Sequence, residues 1–388
     1  MIEQWLTIFQ GSKFWVLLNY FVFLYPLYTS LLWTIGGLVF FFRREQKQPP
    51  EPAHLPSFSI IIPAYNEEGH IEQVIIQALK LDYPEFEIIV VNDGSTDKTE
   101  AILNRLAEGH KDKLRVIHLQ PNSGKAKAQN VAVILSRYDF ILSIDADCYL
   151  NPDILRKMAW HFVNFPRVGA VTGNPRVLNR TSLLAKIQIG EFSSIIGLIK
   201  RTQRTLGKIL TVSGVIAAYR KGALCDVGLF DTDTVTEDID ITWKLQKRFW
   251  DIRYESRALA WILVPETLKG LWRQRVRWAQ GGVEVINKHK DIWNDLRQKR
   301  LWPIYFEYII TILWVFSLAA VVVVTFAVSL IHLFGGISAN LFRAIIPPAW
   351  TGSILAFVCL LQFLASLYID FKYERKTFVK YYFFVIWY

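Results

Sequence analysis

Long runs of apolar residues lie near the two ends of this chain, and a more polar, patterned segment lies between them. The first run, Phe14 to Phe42, contains no charged residue, and as a helix it would span roughly 43 Å at about 1.5 Å per residue. Two further runs, Tyr308 to Phe334 and Ala349 to Ile369, also lack Asp, Glu, Lys and Arg. Because about 20 apolar residues suffice to cross a bilayer, the pattern predicts three transmembrane helices.

The middle of the chain alternates between strand-like and helix-like stretches. The strand-like stretches cover residues 58–62, 87–91, 115–118, 140–144 and 168–172, and the helix-like ones lie near 67–80, 97–110, 124–136 and 153–165. This alternation predicts a doubly wound, Rossmann-like α/β domain with a mostly parallel sheet and helices on both faces. Ligands of such sheets bind beyond the carboxyl ends of the strands, so polar side chains there are the candidates for chemistry.

The distribution of charge predicts how the chain sits in a membrane. It has 44 Lys and Arg against 34 Asp and Glu, a formal net charge of +10. Basic residues flank the apolar runs at positions 43, 44, 47, 297, 299, 300, 372, 375, 376 and 380, whereas the connection 335–348 carries only Arg343. Since basic loops stay in the cytoplasm, we expect residues 43–307 and 370–380 inside and 335–348 outside. This tendency explains the basic balance, so nucleic acid is not an expected partner.

Four parts follow from these patterns. We expect an N-terminal transmembrane helix in 1–48, a cytoplasmic α/β domain in 55–265, interfacial amphipathic helices in 266–300 and a C-terminal transmembrane region in 301–388. The final run, Tyr381 to Tyr388, is too short to cross a bilayer and is interpreted as the beginning of a truncated fourth span, or as an interfacial aromatic anchor. The three cysteines lie far apart without CxxC spacing, which predicts neither a disulfide framework nor a zinc site.

Acidic residues follow two of the strand-like stretches. Asp93 follows the second, where a carboxylate can accept hydrogen bonds from a base edge or ribose; the structural alternative is an Asx turn, with Asp97 or Thr96 capping the next helix. Asp145 and Asp147 follow the fourth, and two buried acids are costly unless a cation pairs with them. Carboxylates on a short loop suit Mg²⁺ or Mn²⁺ bound to a diphosphate, although two solvated loop acids remain the alternative.

A third acidic segment, Asp231 to Asp240, holds five acids in ten residues at the start of a helix-like stretch. The acids could complement the helix dipole, and Thr234 with Glu237 matches a capping box. A carboxylate in a pocket is also what a hydroxyl acceptor needs as a general base. We expect Asp233 and Asp240 to be structural.

The segment Leu271 to Gly282 is dense in Arg and Trp and precedes the second apolar run. Its pattern is typical of an amphipathic helix at the membrane interface. It equally fits a cationic and aromatic wall that holds a diphosphate and stacks on a sugar ring. Spacing alone leaves both interpretations open.

Taken in order, these motifs resemble a known series. Asp93, the pair Asp145 and Asp147, Thr236-Glu237-Asp238, and Gln274 with Arg277 and Trp278 resemble the D, DxD, TED and QxxRW motifs of processive family-2 glycosyltransferases. That family includes the cellulose, chitin, hyaluronan and poly-N-acetylglucosamine synthases. The segments 171–176, 190–204 and 211–218 resemble its poly-β-1,6-N-acetylglucosamine branch, and the similarity extends over nearly all of 20–388.

The resemblance implies a GT-A catalytic domain inserted between transmembrane helices in the bacterial inner (plasma) membrane. It implies inverting transfer of N-acetylglucosamine from UDP-GlcNAc to a growing β-1,6-linked biofilm polysaccharide, with export across the membrane, Mg²⁺ (or Mn²⁺) as cofactor and a small membrane accessory subunit as partner. The alternatives are a hyaluronan, chitin or cellulose synthase type, a non-processive lipid-linked sugar transferase, and a membrane scaffold or pseudoenzyme. No cyclic-di-GMP domain is visible, which disfavours the cellulose type.

The resemblance also implies a role for each motif residue. It makes Asp238 the general base, Asp147 the metal ligand and Asp93 a contact of the uridine. The further nucleotide-sugar contacts it implies are Ala64, Glu67, Lys125 and Asp145. The residues it implies for the acceptor and diphosphate side are Glu191, Gly214, Glu237, Gln274, Arg277 and Trp278.

Overall fold

The computed structural model describes residues 2–47, 49–52 and 54–374, whose centre is an eight-stranded mixed sheet. The strands are β1 (Phe58–Ala64), β2 (Phe86–Asp93), β3 (Leu114–Leu119), β4 (Phe140–Ile144), β5 (Tyr149–Leu150), β6 (Val168–Val177), β7 (Ile216–Arg220) and β8 (Asp251–Ile262). Their order is β3-β2-β1-β4-β7-β6-β8-β5. The parallel half, β3-β2-β1-β4, confirms the doubly wound pattern predicted from the sequence.

The second half of the sheet departs from that pattern. Strand β7 is antiparallel to both β4 and β6, and β5 is antiparallel to β8. Only β6 and β8 are parallel to each other in this half. The fifth predicted strand therefore exists as β6, but it is separated from β4 by β7, which the sequence analysis missed together with β5 and β8.

Helices cover both faces of the sheet. They are α3 (Ile71–Leu79), α4 (Thr99–Gly109), α5 (Lys125–Leu135), α6 (Ile154–Asn164), α7 (Leu183–Glu191), α8 (Lys200–Leu206), α9 (Lys221–Asp226) and α10 (Glu237–Lys247), with a π-helical segment, Phe192–Ile199, between α7 and α8. The four predicted helices correspond to α3, α4, α5 and α6. Helix α11 (Leu268–Lys288) leaves the sheet and leads through the two 3₁₀ segments Lys290–Asn294 and Leu296–Leu301 toward the C-terminal helices.

Three helices are long and apolar enough to cross a membrane, as predicted. They are α2 (Lys13–Phe40), α12 (Trp302–Leu333) and α14 (Ala349–Phe371), and α2 continues in a π-helical turn, Phe41–Glu45. Two short helices were not expected. Helix α1 (Ile2–Gln10) lies within residues 1–48, for which we predicted a single transmembrane helix, and α13 (Ala339–Ile345) lies between α12 and α14. The run at 381–388, with its expected truncation, lies outside the described residues.

A buried ionic group joins the C-terminal ends of α2 and α14 to the sheet domain. Arg201 Nε lies 2.7 Å from Glu45 Oε1, and Arg176 Nη1 lies 2.5 Å from Asp370 Oδ2. The Tyr373 hydroxyl donates to Glu45 Oε2 at 2.6 Å. The four charged side chains are almost fully buried. We call these five residues the junction cluster, because they bind two apolar helices to the sheet domain.

Candidate active site

Lys125 links two acidic loops at the carboxyl edge of the parallel strands. It is the first residue of α5, and its Nζ lies 2.6 Å from Asp145 Oδ1 and 2.9 Å from Glu237 Oε1. Burial opposes ionisation of Glu237, but the Lys125 charge outweighs it and lowers the pKa of Glu237. The loop after β4 and the start of α10, far apart in sequence, therefore meet at one ammonium group.

Asp238 lies beside that pair and is held by backbone amides. The Gly214 N–H donates to Asp238 Oδ2 at 3.0 Å, and the Ile239 N–H donates to Oδ1 at 2.9 Å. Burial and the neighbouring charge of Glu237 raise the pKa of Asp238 to about 6. A Cβ atom on Gly214 would lie 3.0 Å from Asp238 Oδ2, so this close approach favours glycine. The carboxylate is thus oriented and tuned to exchange a proton near neutral pH.

Asp147 and Glu67 bring two more carboxyl groups to the same edge, and neither forms an ion pair in the described part of the chain. Burial and Asp145 raise the pKa of Asp147, and burial, Asp147 and Asp145 raise the pKa of Glu67 to about 7. Asp145 is already paired with Lys125, whereas the ion pairs among the described residues include none to Asp147. We call Glu67, Asp145, Asp147, Glu237 and Asp238, with Lys125 as their counter-ion, the acidic cluster.

The acidic cluster fits a divalent cation that takes most of its ligands from phosphate and water. No group of three His, Cys, Asp or Glu side chains capable of holding a metal exists among the described residues. Mg²⁺ and Mn²⁺ often bind through one or two carboxylates and take their other ligands from phosphate and water. Asp147, with its raised pKa and no cationic partner in the described part of the chain, suits that kind of site.

The Asp93 side chain stabilises the loop before Lys125 rather than facing solvent. Its side chain is buried, and its carboxylate accepts hydrogen bonds from Ser123 N (2.9 Å), Ser123 Oγ (2.9 Å) and Gly124 N (2.7 Å). These bonds fix the loop that places Lys125 at the start of α5. Gly94 has a φ of +71°, and an added Cβ would lie 2.8 Å from Asn122 N. The contact of Asp93 with a uridine stays a prediction.

The first loop of the site is fastened to the second. Ala64 ends β1 beside Asn92 and is buried, and the Glu67 N–H donates to Thr99 Oγ1 at 2.8 Å. Asp97 Oδ1 accepts from the Thr99 N–H at 3.0 Å in an Asx turn, so Asp97, one of the two expected capping residues, does bind the first residue of α4. The expected Thr96 cap is wrong, because α4 is preceded directly by residue 98.

The interpretation of the third acidic segment needs one correction. Helix α10 begins at Glu237, and its preceding residue Thr236 makes no side-chain capping bond, so the capping box of Thr234 and Glu237 is wrong. Asp233 Oδ1 lies 2.7 Å from Lys288 Nζ, and buried Asp240 lies 2.8 Å from His289 Nε2. Those partners agree with the structural role that we expect for both acids.

Arg275 contacts three of the residues predicted for the acceptor and diphosphate side. Arg275 Nη2 lies 2.7 Å from Glu191 Oε2, and Arg275 Nη1 donates to Gln274 Oε1 at 3.0 Å. Its guanidinium lies 4.3 Å from the centroid of the Trp278 ring. Arg277 is exposed, and its charge reaches Glu237. Arg275 was not among the residues predicted from the sequence, although its place inside the Arg- and Trp-rich segment was a usable signal.

Two glycines let α11 approach its neighbours closely. A Cβ on Gly281 would lie 2.2 Å from Thr236 Oγ1, and one on Gly282 would lie 1.8 Å from the Tyr308 hydroxyl. Tyr308 belongs to α12, so α11 contacts both the loop before Asp238 and an apolar helix. The predicted motif residues are therefore brought together in one region beside the long apolar helices.

Comparison with known proteins agrees with this arrangement. Residues 56–281 match the family described as Glycosyltransferase like family 2. The chain belongs to this family of glycosyltransferases, and the resemblance inferred from its motifs is confirmed. It is an enzyme with a GT-A catalytic domain and associated apolar helices.

Individual proteins that are similar to this chain have names more specific than that of the family. The chain is 38% identical over 371 residues to the poly-β-1,6-N-acetyl-D-glucosamine synthase of Staphylococcus epidermidis, covering 92% of this chain and 87% of that one. It is 39% identical over 366 residues to the protein of the same name from Staphylococcus aureus (strain MSSA476), with the same coverage. The mannosyltransferase PcManGT from Pyrobaculum calidifontis, solved with GDP-Man and Mn²⁺, shares the fold with a TM-score of 0.64 and 21% identity, covering 92% of this chain and 99% of that one.

Proposed function

We propose that this enzyme transfers N-acetylglucosamine from UDP-GlcNAc to a growing β-1,6-linked polysaccharide, processively and with inversion, for biofilm exopolysaccharide synthesis. The names of the relatives, at 38% and 39% identity over 92% of the chain, support the sugar and the linkage. The observation that carries the chemistry is Asp238, a carboxylate with a pKa of about 6, held beside the linked loops of Asp145 and Glu237.

Asp238 is the general base of the proposed reaction. It takes the proton from the acceptor 6-hydroxyl as that oxygen bonds to the anomeric carbon and the bond from this carbon to the UDP oxygen breaks. This single displacement inverts the anomeric carbon, whose configuration is α in UDP-GlcNAc and β in the product. Because the pKa of Asp238 is about 6, the carboxylate is ionised at neutral pH and can accept the proton.

The departing diphosphate gains negative charge, which the site must stabilise. Asp147 is the residue that would hold Mg²⁺ or Mn²⁺, and such a cation would neutralise charge on the diphosphate. Arg277 and Lys125 supply positive charge from the protein. The nucleotide-sugar contacts in this proposal are Ala64, Glu67, Asp93, Lys125 and Asp145. The acceptor and diphosphate contacts are Glu191, Gly214, Glu237, Gln274, Arg277 and Trp278.

We also propose the four-part organisation expected from the sequence, with 1–48 and 301–388 membrane-spanning, 55–265 cytoplasmic and catalytic, and 266–300 interfacial, in a multi-pass protein of the bacterial inner membrane. The polymer leaves along the apolar helices beside Trp278. The contact of Gly282 with Tyr308 of α12 supports this route, because the acceptor-side helix then adjoins a membrane helix. Sealed inverted vesicles should accumulate polymer in the lumen, and synthesis without lumenal product would contradict export. A small membrane subunit completes the proposed assembly.

The sugar and linkage can be tested with membranes that contain the protein. Incubation with radiolabelled UDP-GlcNAc and Mg²⁺ should give a polymer that a β-1,6-specific hexosaminidase degrades. Asp238→Asn should abolish this product, while Asp233→Asn, an acid in the same segment that pairs with Lys288, should keep it. Polymer from UDP-glucose instead, or a product resistant to the hexosaminidase, would replace the proposal with another processive polymerase. UDP release without polymer would point to a non-polymerising enzyme.

A further inference from the structure

A buried lysine next to the site has no role in the proposed chemistry so far. Lys200, the first residue of α8, is 5% exposed. Its Nζ donates to Ser213 Oγ at 2.8 Å and to Thr172 Oγ1 at 3.3 Å, both neutral hydroxyls. Among the ion pairs of residues 2–47, 49–52 and 54–374, none involves Lys200. Burying an ammonium group without a carboxylate partner is costly, so a purely structural role explains it poorly.

Neighbouring buried cations show the contrast. Arg201, the next residue in the chain, binds Glu45 at 2.7 Å, and Arg176 binds Asp370 at 2.5 Å. Both arginines have a carboxylate in direct contact, as buried charges usually do. The fold therefore supplies buried carboxylates to the cations around Lys200 and leaves Lys200 with hydroxyl groups alone.

The contacts of Lys200 lead directly to Asp238. Thr172 Oγ1 accepts from both Lys200 Nζ and the Ser213 N–H, the latter at 2.8 Å. Ser213 is followed by Gly214, whose N–H binds Asp238 Oδ2 at 3.0 Å. Lys200 thus fastens the backbone segment that orients the Asp238 carboxylate. Its charge also acts on that carboxylate across the segment and lowers the pKa of Asp238 against the effects of burial and Glu237.

We propose that Lys200 is a positioning residue for the transfer reaction, which fixes residues 213–214 against Asp238 and uses its positive charge to keep Asp238 ionised. This inference rests on the proposed function of Asp238 as general base. Burial lowers the pKa of Lys200 to about 7, so the ammonium is charged in the acidic range where Asp238 would otherwise take up a proton. The other charged or titratable groups that face Asp238 or its neighbour Glu237 are Lys125, Tyr219 and Arg277.

The test is the pH dependence of kcat/KM for transfer from UDP-GlcNAc, measured from pH 5 to 9 on the full chain in membranes. In Lys200→Met and Lys200→Gln the acid limb of the kcat/KM profile should move to higher pH by about one unit. This shift is a tenfold loss of kcat/KM at acid pH, and kcat/KM should recover above pH 8. Lys200→Arg keeps the charge, so its acid limb should stay at the wild-type pH even if its rate falls.

A second measurement separates positioning from general structural support. Because Lys200 is buried without an ionic partner, Lys200→Met should leave the melting temperature equal or higher, whereas a structural lysine would lower it. Equal loss of activity at every pH together with a lower melting temperature would overturn the proposal, as would an unshifted acid limb in both neutral variants. Absence of transfer by the wild-type enzyme would instead reject the proposed function, so the two failures are distinguishable.

Discussion

The acidic cluster and the junction cluster use the same residue types in opposite ways. In the junction cluster the carboxylates of Glu45 and Asp370 each contact an arginine in a buried setting. In the acidic cluster Lys125 forms ion pairs with two of the five carboxylates, Asp145 and Glu237, and the pKa values of the other three, Glu67, Asp147 and Asp238, are raised. A fold that pairs its charges in one region can do so in another, so the excess of negative charge in the acidic cluster indicates a ligand site.

The largest expected effect is on catalysis in the acidic cluster. Asp238→Asn keeps the size of the side chain but removes the proposed base, and its amide nitrogen cannot accept one of the two backbone N–H bonds that the carboxylate accepts. We expect turnover to fall by about 10² to 10⁴, the usual contribution of one general base, while UDP affinity changes little. Steady-state transfer assays and UDP titrations would measure both. A variant retaining more than about a tenth of the wild-type rate would contradict the assignment.

The next effect is on stability in the junction cluster. Arg201→Met leaves the buried Glu45 carboxylate without its arginine, and breaking a buried pair costs about 3–5 kcal/mol. Thermal unfolding of the purified protein in detergent should show a markedly lower melting temperature. The control is Arg105→Met, which removes an exposed pair with Glu72 and should cost at most about 1 kcal/mol. Equal effects of the two variants would contradict a stabilising junction.

A smaller effect concerns the contact that connects the site to α12. Gly282→Ala places a Cβ 1.8 Å from the Tyr308 hydroxyl, so the Tyr308 side chain or one of the two helices must shift. Overpacking of this kind costs about 1–3 kcal/mol, and it should lower turnover by displacing Arg277 and Trp278. Gly352→Ala, where a Cβ meets no atom within 4 Å, is the matched control. Wild-type stability and turnover in Gly282→Ala would show that the close approach is unimportant.

The smallest expected effect concerns how stability changes with pH, which should have opposite signs for the carboxyl groups of Asp238 and Glu255. The folded pKa of Asp238 is raised, so its favourable contribution exists at acid pH and is lost as the pH rises through about 6. The stability of Asp238→Asn relative to wild type should therefore rise between pH 4 and pH 7 by an amount on the order of 1 kcal/mol, on top of a pH-independent cost for the backbone hydrogen bond that the amide nitrogen cannot accept.

Glu255 provides the opposite case for the same measurement. His161 and Arg257 outweigh burial and lower the pKa of Glu255 to about 2. Its contribution to stability is present above the unfolded pKa and is lost as the pH falls toward 2. Glu255→Gln should therefore be destabilised at pH 7 and approach wild type in acid. The same sign of change for Asp238→Asn and Glu255→Gln would refute the contrast between the two environments.

The parallel half of the sheet could be predicted from the sequence because its strands are simple. Strands β1, β2 and β4 are short apolar runs between helix-like stretches, and acids follow directly where β2 and β4 end. Periodicity and the position of the acids therefore placed the candidate site at the correct edge. The apolar helices were equally clear, since each exceeds the length needed to cross a bilayer.

The antiparallel half could not be predicted because its polar residues are satisfied by tertiary contacts. Strand β8 carries Arg253, Glu255 and Arg257, and Glu255 is buried only because Arg257 and His161 bind it. No local pattern reveals such partners, so β8 does not resemble a buried strand. The burial of Lys200 could not be predicted for the same reason, since its contacts with Thr172 and Ser213 join residues distant in sequence.

The most direct test of the central claim, that the acidic cluster holds a cation-bound nucleotide diphosphate, is calorimetric titration of the purified enzyme with UDP. We predict that wild-type enzyme binds UDP in Mg²⁺ or Mn²⁺ and loses most of that affinity in EDTA. Asp147→Asn should bind weakly under both conditions, while Asp233→Asn should behave as wild type. UDP affinity that is independent of both the metal and Asp147 would contradict the account.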